Sequence, residues 1–267
     1  MNTFDENLAR EVAEQIVMKD SEDEKSLITS FVEVCRFLGE FPGEVSWNKK
    51  KNTNQPSVLN PNDLSLLAQR YFEGYRRSDF PSEPSTKPDT MVSVIMHEAY
   101  GYSDEDCQRI QKEHQHSMCA ENCVGNLLER YLDSVLRDYD WYWCCGELVK
   151  AIDFLGKNAQ GEWIALQIKN RDNTENSSSK AIRDQTRIQK WYRSFSKDTK
   201  RGRKSWTNWS KLPPLMEGYN LSEEGFEKFV IQYIRDSHFK NFTTNFWLVL
   251  MKKDKLFSLL FILYSYP

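Results

Sequence analysis

The segment Leu148-Val149-Lys150-Ala151-Ile152-Asp153-Phe154, the turn Gly156-Lys157-Asn158-Ala159-Gln160-Gly161 and the segment Glu162-Trp163-Ile164-Ala165-Leu166-Gln167-Ile168-Lys169 read together as a strand pair. Alternate residues of a strand point to opposite faces. Ile164, Leu166 and Ile168 therefore share a face that seeks a core, while Trp163, Ala165, Gln167 and Lys169 share the other. Asp153 closes the apolar run of the first segment, so pairing the two brings Asp153 beside Gln167 and Lys169.

Those three side chains suit the hydrolysis of a phosphodiester. That chemistry needs an oxygen-rich metal site and a positioned, partly deprotonated water. A carboxylate and a side-chain carbonyl can hold Mg²⁺, which keeps several waters of its own. A neighbouring lysine can orient the attacking water and offset phosphate charge. The wet outer face of an ordinary hairpin would carry the same residue types, so the surroundings matter. Upstream, Val124, Leu127, Leu128, Tyr131, Leu132, Val135 and Leu136 form one stripe of a helix predicted over Ser117 to Asp138. That helix carries Glu129, with the small Gly125 one turn earlier, and Glu121 two turns earlier. Either acid could complete the metal site.

Downstream comes Asn170-Arg171-Asp172-Asn173-Thr174-Glu175-Asn176-Ser177-Ser178-Ser179, without an apolar residue. It reads as a polar loop. Amides, arginine and acids are the groups that read base edges, although Asn and Ser also favour plain turns. Asn170, Arg171, Asp172, Asn173, Asn176 and Ser178 are the candidates for that contact. A helix is predicted from Lys180 to about Phe195, where Arg183, Arg187 and Lys190 recur at three-to-four spacing as a phosphate-contacting face would.

Charge is distributed unevenly. The chain of 267 residues has a net charge of −3, yet Met1 to Glu44 holds eleven acids against four bases, and Lys180 to Lys211 holds eleven bases against two acids. A solvated surface would account for either run. A local basic field is also enough to steer a polyanion, so the acidic whole-chain balance does not exclude nucleic acid. Composition is that of an ordinary globular protein, with 39% hydrophobic and 28% charged residues and eight Trp to fill an interior. No basic and apolar leader follows Met1, and the longest apolar stretch, Leu256 to Tyr264, is about half the length of a membrane span. Six Cys in a chain of this size fit reduced thiols and a cytoplasmic location.

Helices are expected over Asn7 to Val17, Glu24 to Leu38 and Asp63 to Tyr75, the last capped by Asn62 or Asp63. Lys49 to Pro61 reads as a loop, and Ser78 to Pro88, with its three prolines, as a linker. Residues 1–90 then form a mainly helical part and 91–267 a second one. Trp141 to Phe154 reads as extended chain, Glu223 to Arg235 as a helix, and Thr243 to Met251 with Leu256 to Tyr264 as a closing hairpin. Helices, a strand pair, a helix and further strands make an α/β fold, with a core sheet and helical additions.

Asp153 with Gln167-Ile168-Lys169 resembles the variant PD-(D/E)XK signature in which Gln replaces the second acid. The run Gln167 to Ser179 with Ala181-Ile182-Arg183, and Ala120-Glu121-Asn122 leading into Gly125-Asn126-Leu127-Leu128-Glu129, resemble type II restriction endonucleases of the SinI kind. The resemblance covers roughly residues 115 to 210. It implies a PD-(D/E)XK restriction-endonuclease-like core within 91–267, a mixed central sheet flanked by helices. It further implies Mg²⁺, a double-stranded DNA substrate, a homodimer, a restriction-modification role and a short palindromic site of GGWCC type (W being A or T). Asp153, Gln167, Lys169 and Glu129 would then be catalytic, with Asp153, Gln167 and Glu129 on the metal. The Gln in place of an acid removes one negative charge from such a site.

Other readings stay open. His114, His116, Cys119 and Cys123, with Cys144 and Cys145 further on, invite a zinc site, although the spacing fits no familiar finger. The basic stretch alone would serve a non-catalytic DNA-binding protein, and the acidic N-terminal helices could meet a basic partner. No nucleophile-elbow or phosphate-loop glycine pattern is present.

Overall fold

A computed structural model describes residues 4–47, 54–81, 87, 89–172, 188–199, 202–213 and 218–237. Contacts divide the chain into two compact units, one of residues 1–79 with 120–223 and one of 80–119 with 224–267. This differs from a division near residue 90, because the second and third helices pack against residues Tyr142–Glu147, at the edge of the sheet.

In the first unit, α1 (Glu6–Ile16) is capped by Asp5, whose carboxylate accepts from the Leu8 amide, and buries Ala9, Val12 and Ala13. Helix α2 (Glu22–Glu40) starts at Ser21 and gathers Glu22, Asp23 and Glu24 in its first turn, where the helix dipole favours acids. The third helix, α3 (Pro61–Arg76), is capped by Asn60 rather than by Asn62 or Asp63, because Pro61 takes the first helical position, where no amide is needed. Phe31 of α2 packs against Tyr71 and Phe72 of α3 at ring separations of 5.4 and 6.0 Å. Several acids of the N-terminal run are neutralised within the chain. Glu24 is 1% exposed and bound by Arg76, and Glu33 pairs with Arg36 and Lys157.

Among the described residues the sheet has five strands in the order β1 (Tyr142–Trp143), β2 (Phe154–Lys157), β3 (Trp163–Arg171), β4 (Ile188–Thr199) and β5 (Gly202–Thr207). The β3–β4 pair is parallel and the others are antiparallel. The chain is therefore a mixed α/β fold with a mainly helical N-terminus, consistent with the restriction-endonuclease-like core that the resemblance implies. Helix α2 covers the sheet through Phe37 on Trp163, at 5.5 Å edge-on, and through the Trp163 indole, which donates to Glu40. Tyr71 of α3 donates to the Trp143 carbonyl at 2.9 Å.

Two expectations need correction here. Trp141 to Phe154 is not continuous extended chain. After Trp143 it turns through Cys145–Glu147 with positive φ at Gly146 and Glu147, and again at Ala151 (φ 55°), before β2 begins. Residues 188–195 are strand rather than helix. Ile188, Trp191, Tyr192 and Phe195 are β-favouring residues, and parallel pairing with β3 overrides the helical spacing of the bases. Lys190 accordingly lies on β4, paired with Gln167, and shares no helix face with Arg183 and Arg187, which fall outside the described residues.

The second unit contains α4 (Thr90–Tyr100), which the sequence reading missed, and residues 104–119 of α5 (Asp104–Leu136). Helix α5 begins thirteen residues before the expected Ser117, where Ser103 accepts from the Asp106 amide and Asp104, Glu105 and Asp106 fill the first turn. The expected C-terminal helix is α6, residues 223–237, and the expected hairpin over 243–264 lies outside the described residues. No helix among the described residues is long and apolar enough to cross a membrane.

Candidate active site

Strand β3 is central and buried on both faces. Leu166 is 0% and Ile168 5% exposed, but Gln167 on the opposite face is also only 5% exposed. The outer face of this strand pair is thus covered rather than wet. The β2–β3 register, with Phe154 opposite Leu166, places Asp153 opposite Gln167. The Asp153 amide donates to the Leu166 carbonyl at 2.8 Å, and Asp153 Oδ2 accepts from the Ile168 amide at 2.6 Å. The carboxylate is thereby fixed at the end of the ladder.

Helix α5 brings Glu129 to the same place. Trp143 of β1 donates its indole N–H to Glu129 Oε2 at 3.0 Å. Asp153, Gln167, Lys169 and Glu129 all line one cleft of about 630 Å³, whereas Glu121 is exposed and does not line it. Beside Glu129, Arg130 binds Asp79 and the Tyr75 and Arg77 carbonyls, and its guanidinium lies 5.4 Å from the Trp143 ring. Asn126 also donates to Asp79. Trp143, Arg130 and the buried Asp79 escaped the sequence reading. Asp79 stood in an apparent linker, and nothing local distinguishes Arg130 from any other helical arginine.

The electrostatics of the cleft are unbalanced. Burial raises the Glu129 carboxyl well above the usual carboxylate range, and the Asp153 charge raises it further, against the indole N–H and Lys169. Burial likewise raises Asp153, opposed by the Ile168 amide and by Lys169. Among the described residues, neither Asp153 Oδ1 nor Glu129 Oε1 accepts a hydrogen bond. Two recessed carboxylates with unpartnered oxygens, next to a side-chain amide, are a donor set that fits a hard divalent cation.

The expected base-contacting residues are placed unevenly. Asn170 and Arg171 belong to β3, not to a loop. The Asn170 side chain accepts from Arg193 at 2.9 Å, and Asp172 accepts from the Ser196 amide at 3.3 Å, so both brace β4. Arg171 is exposed. Asn173, Asn176, Ser178, Arg183 and Arg187 lie outside the described residues.

The sequence profile of the SinI restriction endonucleases matches residues 9–236, which takes in the helical N-terminus as well as the cleft. The chain belongs to the SinI restriction endonuclease family. It is 41% identical to the type II restriction enzyme Eco47I of Escherichia coli over 78% of this chain and 87% of that protein. It is 40% identical to the type II restriction enzyme SinI of Salmonella infantis over 87% of this chain and 96% of that one. The zinc reading gains nothing within this SinI-family fold. Cys144 and Cys145 are buried thiols raised by desolvation, and no three His, Cys, Asp or Glu are grouped as a metal site among the described residues.

Proposed function

We infer that this chain is a Mg²⁺-dependent type II restriction endonuclease that hydrolyses phosphodiester bonds of double-stranded DNA at a short palindromic site of GGWCC type. The observation that carries the reading is the cleft in which Asp153, Glu129 and Gln167 converge with unpartnered carboxylate oxygens beside Lys169. Asp153, Glu129 and the Gln167 carbonyl would hold the cation. Bound there, Mg²⁺ supplies positive charge for the phosphorane-like transition state and acidity for water. Lys169 holds the attacking water and offsets phosphate charge. Asp153 is kept in position by the Ile168 amide, and Glu129 by the Trp143 indole.

With one such centre per chain, a homodimer would cut both strands of a palindrome, and a cytoplasmic location would suit the reduced thiols. Arg171 is the exposed group of β3 nearest the centre in sequence and the best placed to read a base. Lys190 and the basic hairpin of β4 and β5 would hold phosphates. The test is run-off sequencing of plasmid DNA incubated with the protein, with and without Mg²⁺. Discrete ends at one short sequence that require Mg²⁺ are expected. Binding without cleavage would make the chain a non-catalytic DNA-binding protein.

A further inference from the structure

We propose that Arg77, at the end of α3, is a DNA-contacting residue that binds a backbone phosphate entering the cleft. The proposal rests on the function inferred above and assigns a role to the helical N-terminus. Helix α3 turns one face to the cleft: Arg70, Glu73, Gly74 and Arg77, at three-to-four spacing, all line it. The helix is seated there backbone to backbone. A Cβ on Gly74 would lie 2.3 Å from Gly146 Cα, and one on Gly146 would lie 2.4 Å from the Arg70 carbonyl oxygen. The C-terminal end is tied as well, because Arg130 donates to the Arg77 carbonyl at 2.7 Å.

The arginines around this wall are otherwise committed. Arg70 donates to the Ser46 and Glu147 carbonyls, Arg76 to Glu24, Arg130 to Asp79 and Arg137 to Asp133. Arg77 differs. Its backbone is anchored, but its exposed side chain has no hydrogen-bond or ion-pair partner among the described residues. An anchored Cα with an uncommitted guanidinium, in the cleft that holds the reacting groups, is what bidentate capture of a phosphodiester requires. Glu73, one turn earlier on the same face, makes no salt bridge among the described residues and acts on Arg76 only through its charge, and it opposes an anion there. The phosphate therefore lies toward the Arg77 end. The rival explanation is a cation favoured at a helix C-terminus, which would stabilise the fold and leave DNA untouched.

The experiment uses the full chain in Ca²⁺ and a duplex containing the sequence cut by the parent protein, with a scrambled duplex alongside. Affinities are titrated at several salt concentrations, and melting is recorded without DNA. For Arg77→Ala we expect roughly tenfold weaker binding to both duplexes and a salt dependence shallower by about one ion, with melting unchanged. Arg77→Lys should keep the salt dependence and recover part of the affinity, and Glu73→Gln should bind more tightly than the parent. Lower melting with parental affinity and salt slope would establish the helix-end role and overturn the proposal, as would parental behaviour throughout. Failure of the parent itself to cut the duplex in Mg²⁺ would instead overturn the inferred function.

Discussion

The two walls of the cleft are built by different means. On the sheet wall, Gln167 and Lys169 project from β3, whose pleat fixes their direction, and Asp153 stands just before β2 at the end of the β2–β3 ladder. On the helical wall, α3 and α5 are held by contacts distant in sequence: Gly74 against Gly146, and Arg130 on Asp79 and two α3 carbonyls. The proposed reacting groups come from both walls, Asp153, Gln167 and Lys169 from the sheet and Glu129 from α5, and the Asp153 charge helps to raise the Glu129 carboxyl. The helical wall carries the packing that shapes the site. Substitutions of the proposed reacting groups should therefore remove activity without loss of stability, and those at the packed contacts of the helical wall should act on stability first.

The largest effect is expected at Lys169. Lys169→Ala should lower the cleavage rate by about 10²–10⁴-fold, the usual span for a group that works on a proton in flight. Melting and binding of the cognate duplex in Ca²⁺ should stay parental. A variant that cuts within tenfold of the parent would take Lys169 out of the mechanism and erase the contrast between the walls.

Gly74→Ala probes the other side. A central alanine normally favours a helix by about 1 kcal/mol over glycine. Here its methyl meets backbone rather than a flexible side chain, so overpacking should win and cost about 1–3 kcal/mol. Thermal melting several degrees below the parent is the expected reading, and a rise would mean that α3 is not seated on the Gly146 turn.

A third test joins the walls through pH. Glu129 and Asp153 both have folded-state pKa values raised by burial, so the folded cleft prefers them protonated. Their contribution is fully present below the ordinary carboxylate range and is lost as pH rises through the raised values. Metal-free protein should thus lose a few degrees of melting temperature between about pH 4.5 and neutrality, with other titrating groups controlled by Glu129→Gln. Mg²⁺ should restore stability most at the upper end of that range, and much less in the variant. Equal stabilisation by Mg²⁺ at both ends, or in both proteins, would separate the carboxylates from the cation.

The smallest effect concerns the approach to the sheet wall. Ala151 sits at φ 55° just before Ile152 and Asp153, a left-handed conformation that glycine adopts without steric cost. Ala151→Gly should raise stability by up to about 1 kcal/mol in denaturant unfolding. A loss would show that the methyl group is held by packing.

Much of the sheet wall was legible. Strand parity and a short turn set Asp153 beside Gln167 and Lys169, because a period of two and a hairpin are local rules. Helix positions 7–17, 24–38 and 63–75 followed from their apolar stripes, and Glu129 stood out with Gly125 on its helix. The stretch 188–195 misled, since bases at three-to-four spacing resemble a helix face while Ile188, Trp191 and Tyr192 suit a strand equally well. Only a neighbour decides between the two readings, and that neighbour is β3 in parallel register.

By itself, then, the sequence determined the α/β class, the hairpin and the meeting of Asp153 with Gln167 and Lys169, all of which depend on residues near one another along the chain. Tertiary structure alone decided that Gln167 is covered, that Glu129 rather than Glu121 reaches the cleft, and that Asp79 is a buried partner of Arg130. It also decided that the Arg77 side chain has no hydrogen-bond or ion-pair partner among the described residues. The physical reason is the same in each case. Burial, charge coupling and the close approach of two glycines are properties of pairs of residues brought together by the fold, and a single position in a sequence carries no record of its distant partner.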